Sequence, residues 1–217
     1  MKKDVVPLLL SLVTLTSCTI DAYEKGEGDL SLMTADFVEA HVDGDKRVTL
    51  VETDQDERLQ LSPSVTARWI ERADTVYRAL LYYNKVEDGQ AEPVSLGWVG
   101  VLPPRDSIKG GMKTDPVHLE SMWLAKNRKY LNLRLRLMTG SADDEDARHA
   151  IGMVGSSETA TDNHAYLHLY HDQGGMPEYY SSVTFASIPL AGIAADTLTV
   201  VVNTYDGVVS RTFVSRP

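Results

Sequence analysis

Tyr130-Leu131-Asn132-Leu133-Arg134-Leu135-Arg136-Leu137-Met138 is the stretch whose pattern decides the fold. Leucine fills positions 131, 133, 135 and 137, while Asn132, Arg134 and Arg136 fill the places between. Successive side chains on a strand point to opposite faces, so a period of two makes one apolar and one polar face. A helix would scatter the same leucines around its axis. The segment is a strand with its leucines in a core.

Runs of similar character flank it at 117–124, 147–154, 164–170, 180–189, 197–203 and 208–214. Short strands at this spacing predict an antiparallel β-sandwich over residues 112–217. Upstream, Asp43-Gly44-Asp45 reads as a hairpin turn between the runs at 36–42 and 46–51. Leu59 and Leu61 alternate about Gln60, the run at 75–83 is rich in β-branched and aromatic residues, and 94–101 carries Trp98. These predict a smaller β domain over 30–108, with a short helix expected at 63–73 around Trp69 and Ile70. The stretch from Leu102-Pro103-Pro104-Arg105 to Gly110-Gly111 is read as the boundary. Its prolines lack ladder donors and its glycines lack side-chain packing. The class is all-β.

The amino terminus has its own logic. Lys2 and Lys3 precede a small and apolar run at 5–17, which ends in Leu15-Thr16-Ser17-Cys18. That run is shorter than the ~20 apolar residues a membrane-spanning helix needs, and it suits a cleavable export signal. Leu15 is too bulky for the small-residue site of an ordinary signal, but it fits a lipoprotein box. The reading is a leader at 1–17, lipidation with palmitate-type chains at Cys18, and an acidic tether at 18–29. Cys18 is the single cysteine of the chain. Its thioether bond to lipid would leave no thiol for a disulfide, for zinc or for catalysis. The membrane partner is thus reached through the lipid. Thr19, rather than an aspartate, follows the cysteine, so the expected address is the outer membrane, on its periplasmic face or at the cell surface.

Charge narrows the other partners. The net charge is −10, or −11 once Lys2, Lys3 and Asp4 leave with the leader. Nucleic acid requires a basic surface, and anionic headgroups repel an acidic one. No nucleic acid is expected.

Several clusters were candidates for chemistry. His164, Tyr166, His168 and Tyr170 share one strand face, which sets His164 and His168 ~13 Å apart, too far to share one metal ion. His171 points away from them. Asp54, Asp56 and Glu57 alternate like calcium ligands but lack the glycine of the sharp turn. Asp143, Asp144, Glu145 and Asp146 are adjacent acids that read as a solvated loop. No Gly-x-Ser-x-Gly turn is present. Trp98, Trp123 and the pair Tyr82-Tyr83 could form a stacking platform for sugar rings, but their strand settings favour a core role. No catalytic residue, metal or cofactor is assigned. A ligand site, if present, belongs at the junction of the two domains.

Several segments taken together resemble the NigD-like lipoproteins of Gram-negative anaerobes of gut and mouth. They are the Leu-Thr-Ser-Cys box, Leu32-Met33-Thr34-Ala35-Asp36-Phe37, Val48-Thr49-Leu50-Val51, Leu167-His168-Leu169-Tyr170-His171-Asp172, Pro177-Glu178-Tyr179-Tyr180 and Ala186-Ser187-Ile188-Pro189-Leu190. The resemblance implies an N-terminal OB-like small barrel followed by a C-terminal β-sandwich. It also implies a link to bacteriocin gene clusters, with an export or immunity role suggested, and it brings no catalytic residues. The expected function is non-enzymatic binding or scaffolding of a protein or glycan partner in the envelope. An envelope hydrolase and a bacteriocin-associated factor are the alternatives.

Overall fold

Residues 33–87, 89–142, 147–156 and 163–216 are described by a computed structural model of the chain. The leader at 1–17, Cys18, the tether at 18–29 and the acids at 143–146 lie outside the described residues. Regular structure in the described residues is all strand.

The first five strands are β1 (Met33–Val42), β2 (Val48–Thr53), β3 (Arg58–Val65), β4 (Thr75–Glu87) and β5 (Gln90–Trp98). They close into a barrel in the order β1-β2-β3-β5-β4, with β4 returning to β1. The parallel contact of β3 with β5, through Gln60↔Gln90 and Leu61↔Ala91, gives the OB-like arrangement. A five-stranded barrel is narrow, and small side chains line it: Val38, Ala40, Val48, Val51, Ala79 and Ala91 beside Leu59 and Leu81. The Asp43 turn forms as expected, with the Asp43 carboxylate accepting the N–H groups of Asp45 and Arg47 at 3.0 and 2.8 Å.

The helix expected at 63–73 does not form. β3 continues to Val65, and the loop beyond it plugs the barrel with Ile70, which is 6% exposed. Trp69 packs edge-on against Tyr77, with ring centroids 5.6 Å apart. The Tyr77 hydroxyl accepts the N–H groups of Glu71 and Arg72 at 3.2 and 3.0 Å. Loop amides are satisfied by a side chain, so no helical turn is needed to satisfy them.

The sandwich holds β6 (Gly100–Val101), β7 (Pro104–Arg105), β8 (His118–Leu124), β9 (Tyr130–Thr139), β10 (Ala150–Ser156), β11 (His164–Asp172), β12 (Tyr180–Pro189), β13 (Thr197–Thr204) and β14 (Gly207–Val214). One sheet runs β14-β13-β11-β10-β7 and the other β6-β12-β9-β8. Long neighbours pair antiparallel except β11 with β13; the two short strands, β6 and β7, also pair parallel. Leu131, Leu133, Leu135 and Leu137 point into its core with Met153, Ile188, Leu198 and Val200. The chain leaves the barrel at Val99, earlier than the expected break at 102–111. Gly100–Val101 already pairs with β12, and Pro104–Arg105 with β10. Prolines are excluded from central strands but tolerated in short edge strands, and these two strands have two residues each.

Barrel and sandwich meet across faces that alternation leaves outside each core. In β4, Arg78, Ala79, Leu80 and Leu81 are all buried, because one side faces the barrel interior and the other faces the sandwich. Arg78 is the centre of this contact. It donates from Nη2 to Asp54 Oδ2 at 2.7 Å and to Asn132 Oδ1 at 3.1 Å, and from Nε to Ser187 Oγ at 3.1 Å. Asn132 donates in turn to Asp54 at 2.7 Å, and Ser187 donates to Asn132 at 2.7 Å. The guanidinium lies 4.1 Å from the Tyr130 ring centroid and 5.4 Å from that of Phe37.

Removing one partner of a buried ion pair leaves a desolvated charge, at a cost of about 3–5 kcal/mol. Arg78→Met should therefore lower stability by about that amount in urea unfolding monitored by tryptophan fluorescence. The double variant Arg78→Met/Asp54→Leu should recover part of the loss, because both charges then disappear together. A double variant no more stable than the single one would contradict this account.

Candidate functional site

The same docking that buries Arg78 leaves a cleft of about 470 Å³ beside it. β1 supplies Phe37, β4 supplies Leu80 and Tyr82, β8 supplies Trp123, and β12 supplies Phe185. Phe37 is the buried hub. Trp123 and Phe185 stand edge-on to it, at 5.3 and 5.6 Å between centroids and interplanar angles of 84° and 81°. This edge-to-face seating is the favoured geometry for aromatic pairs. Tyr82, Trp123 and Phe185 remain partly exposed and form the wall that a ligand would meet. Arg134 lies 5.8 Å over Phe185 and pairs with Glu120 at 2.6 Å; Lys126 and Gln55 complete the rim.

Two carboxylates border the cleft, and both are already engaged. Asp54 belongs to the Arg78 network. Asp36 accepts from the Tyr83 hydroxyl at 2.9 Å and from Gln55 at 3.4 Å. Burial, followed by the neighbouring Asp36 charge, pushes the Tyr83 hydroxyl well above the usual phenol range. These contacts position the carboxylates at the cleft wall.

Across the junction lies a second depression of about 470 Å³, bordered by Glu39, Arg128, Lys129, Tyr130 and Arg216. Glu39 accepts from Lys129 at 2.6 Å and from the Tyr130 hydroxyl at 2.9 Å. Burial opposes its charge, but these two hydrogen bonds prevail and hold Glu39 below the usual carboxylate range. Burial, with the Glu39 contact next, pushes Tyr130 up to about 12.

The residues singled out from sequence divide. Tyr83 is core, whereas Tyr82 and Trp123 line the cleft. Trp98 departs from its expected core role and is 58% exposed. It stands at the end of β5 with its indole over Gly100, where a Cβ would come within 3.4 Å of the ring. His164 hydrogen-bonds Thr199 at 2.7 Å and stacks on Tyr166, and His168 is exposed on the same strand. His171 is buried, with its Nε2 hydrogen-bonded to His149 Nδ1 at 3.0 Å and its Nδ1–H donating to the Asp115 carbonyl at 2.9 Å. Burial, with the His171 charge next, pushes the His149 imidazole down. Of the calcium-like trio, Asp54 turns into the interface and Glu57 pairs with Lys85. Among the described residues, no three His, Cys, Asp or Glu side chains are grouped to hold a metal ion. No helix in the described residues is long and apolar enough to cross a membrane.

The NigD-like C-terminal beta sandwich domain family matches residues 100–215. A NigD-like immunity protein from Bacteroides caccae has 25% identity and a TM-score of 0.63, over 82% of this chain and 91% of its own. A protein of unknown function from Bacteroides vulgatus superposes at TM-score 0.62 with 16% identity, covering 83% of this chain and 90% of that one. A candidate lipoprotein from Bacteroides fragilis shares the fold at TM-score 0.59 and 10% identity, over 83% and 96% of the two chains. Among curated proteins, none matches the sequence.

The Glu39 geometry sets a pH dependence. A carboxylate with a depressed folded-state pKa stabilises the fold above its ordinary value of 4.5, and that share is lost as pH falls through the folded value. Glu39→Gln should therefore be less stable than the parent at pH 6 and converge on it in thermal melts at acid pH. A constant difference at all pH values would contradict the assignment.

Proposed function

We propose, from the premise that this chain belongs to the NigD-like family through its C-terminal β-sandwich, that it is a lipid-anchored, non-enzymatic binding protein of the cell envelope. One observation carries the reading: Tyr82 from the barrel and Trp123 and Phe185 from the sandwich converge on one open cleft. Partly exposed aromatic faces with a polar rim suit a glycan or a protein side chain, since stacking needs a flat apolar face and the rim fixes orientation. The cleft wall comes from both domains, so its shape depends on their docking. The anchor, through Cys18, would hold this surface near the membrane, and two or more acyl chains make such an attachment lasting.

The test is a glycan array and a pull-down from detergent-solubilised envelopes, each with the parent chain and with Trp123→Ala. A partner bound by the parent and weakened about tenfold by the substitution, near 1.4 kcal/mol, is the expected result. A flat array together with an empty pull-down would overturn the reading. The anchor is tested separately: Cys18→Ser should move the protein from the membrane fraction to the soluble fraction, and an unchanged distribution would exclude lipidation there.

A second reading is favoured by the immunity protein of Bacteroides caccae, whose name assigns it that role. On that reading the partner in the cleft is a bacteriocin or part of its export apparatus. Deleting the gene should then sensitise the cell to one bacteriocin, and unchanged sensitivity to the bacteriocins of its neighbours would dispose of it.

A further inference from the structure

The two sheets of the sandwich end on four edges, and three of them are guarded. β8 carries a bulge between Leu119 and Ser121 and the charge of Glu120. β14 carries Arg211. The edge beside β10 is formed by β7, only two residues long and carrying Pro104, and Ile108 lies over the face of β10 at Gly152. Bulges, charges and covering loops are the usual devices against strand addition. Among the described residues, β12 has none over its first half. Its neighbour β6 pairs only with Ala186 and Ser187, and the segment Tyr180-Ser181-Ser182-Val183-Thr184-Phe185 contains neither charge nor proline.

Backbone directions along this edge follow from two hydrogen bonds. Leu190 N–H donates to the Lys129 carbonyl, so even-numbered positions of β12 bond to β9. Leu102 N–H donates to the Ser187 carbonyl, so odd-numbered positions face the β6 side. Ser181 and Val183 therefore turn their N–H and C=O groups to the open side, where no described residue pairs with them. Side chains of the even positions point between the sheets. Ala186 and Ile188 join the core, but Ser182 and Thr184 line an open cavity of about 490 Å³ bordered by Leu137, Ile151 and Trp98. No Asp, Glu, Lys or Arg lines it; its one titratable wall residue is His149, whose imidazole burial pushes down toward the neutral form.

We infer that the open edge of β12 at Ser181–Val183 is a strand-addition site for an extended peptide segment of a partner protein, which places a bulky uncharged side chain in the cavity beside Ser182 and Thr184. An added strand would take the unpaired N–H and C=O groups as its ladder. Its side chains would alternate between the outer face and the space between the sheets, so every second one would meet the cavity. Main-chain pairing supplies the docking, and the uncharged walls select the side chain. This surface differs from the junction cleft, although Phe185 borders both.

The test pans a phage-displayed library of random nonapeptides on the purified chain. Enriched peptides should share alternating bulky apolar residues, and synthetic copies should bind with micromolar affinity. N-methylation along such a peptide should abolish binding at every second position only. Val183→Pro, which removes one edge donor, should weaken binding at least tenfold, and Ser182→Trp, which fills the cavity, should do the same. Trp123→Ala, in the other cleft, should leave peptide binding unchanged. No enrichment, or indifference to N-methylation at all positions, would overturn the proposal even if a protein variant failed to fold. A concentration-dependent dimer that Val183→Pro abolishes would assign the edge to a second copy of this chain, and would overturn it too.

Discussion

Arg78 is a full charge held under two domains at once. Its side chain is 1% exposed, and the Asp54 side chain that answers it is 11% exposed. Stripping water from both ions costs several kcal/mol each, and a single contact would not return it. Part of the return comes from hydrogen bonds at Arg78 Nε and Nη2 and at Asp54 Oδ2, while Arg78 Nη1 and Asp54 Oδ1 find no hydrogen-bond partner among the described residues. Asp54 follows the end of the barrel's β2, Asn132 and Ser187 sit on two adjacent strands of one sandwich sheet, and Asn132 hydrogen-bonds both of the other two. The arrangement closes only when barrel and sandwich meet in one register. The buried charge thus contributes more to specifying orientation than to raw stability, as the known registry role of buried polar groups suggests.

The cleft inherits its form from that register. Phe37 leaves the same β1 face that Arg78 overlies, and its edge-on contacts with Trp123 and Phe185 cross from barrel to sandwich. A sideways slip by one residue would reverse which side chains of β4 face outward, exchanging Arg78, Leu80 and Tyr82 for Tyr77, Ala79 and Leu81. Polar network and aromatic wall would then be lost together. On the other flank, Lys129 and Tyr130 reach back to Glu39, so the junction is clasped on both sides of the arginine.

What was legible in the sequence was periodic. The leucines of Tyr130–Thr139 lie in the core as their alternation requires, and the barrel runs were visible as β-branched and aromatic segments. The failures share a cause, since each depends on neighbours distant in the chain. Residues 63–73 have a helix-compatible composition, but the Tyr77 hydroxyl takes the amides of Glu71 and Arg72 from outside the segment. Asp54 looked like a member of an acidic surface turn, because nothing local announces Arg78, Asn132 or Ser187. Hints were nevertheless present. Arg78 is a lone charge in an otherwise apolar and aromatic run, and Asn132 breaks a row of arginines on the polar face of its strand. A lone polar residue where solvation would favour a charge marks a face that another domain covers.

The linker explains why the sandwich carries an open edge at all. Immediately after Val99, the chain pairs for two residues with β12, crosses Pro103, and pairs for two residues with β10. Proline lacks the donor a ladder needs, so the crossing cannot extend either pairing into a full strand. One segment therefore seals the upper part of the gap between the two sheets and ends before the lower part. Below it, Ser182 and Thr184 stand where a continuous core would have placed leucine or valine, and the space between the sheets stays open. The Trp98 indole lies at the mouth of that space, close over Gly100, where a Cβ would just touch the ring. The exposed tryptophan, the hydroxyl-lined gap and the unpaired strand edge thus follow from one constraint, the passage of a proline-bearing linker from barrel to sandwich.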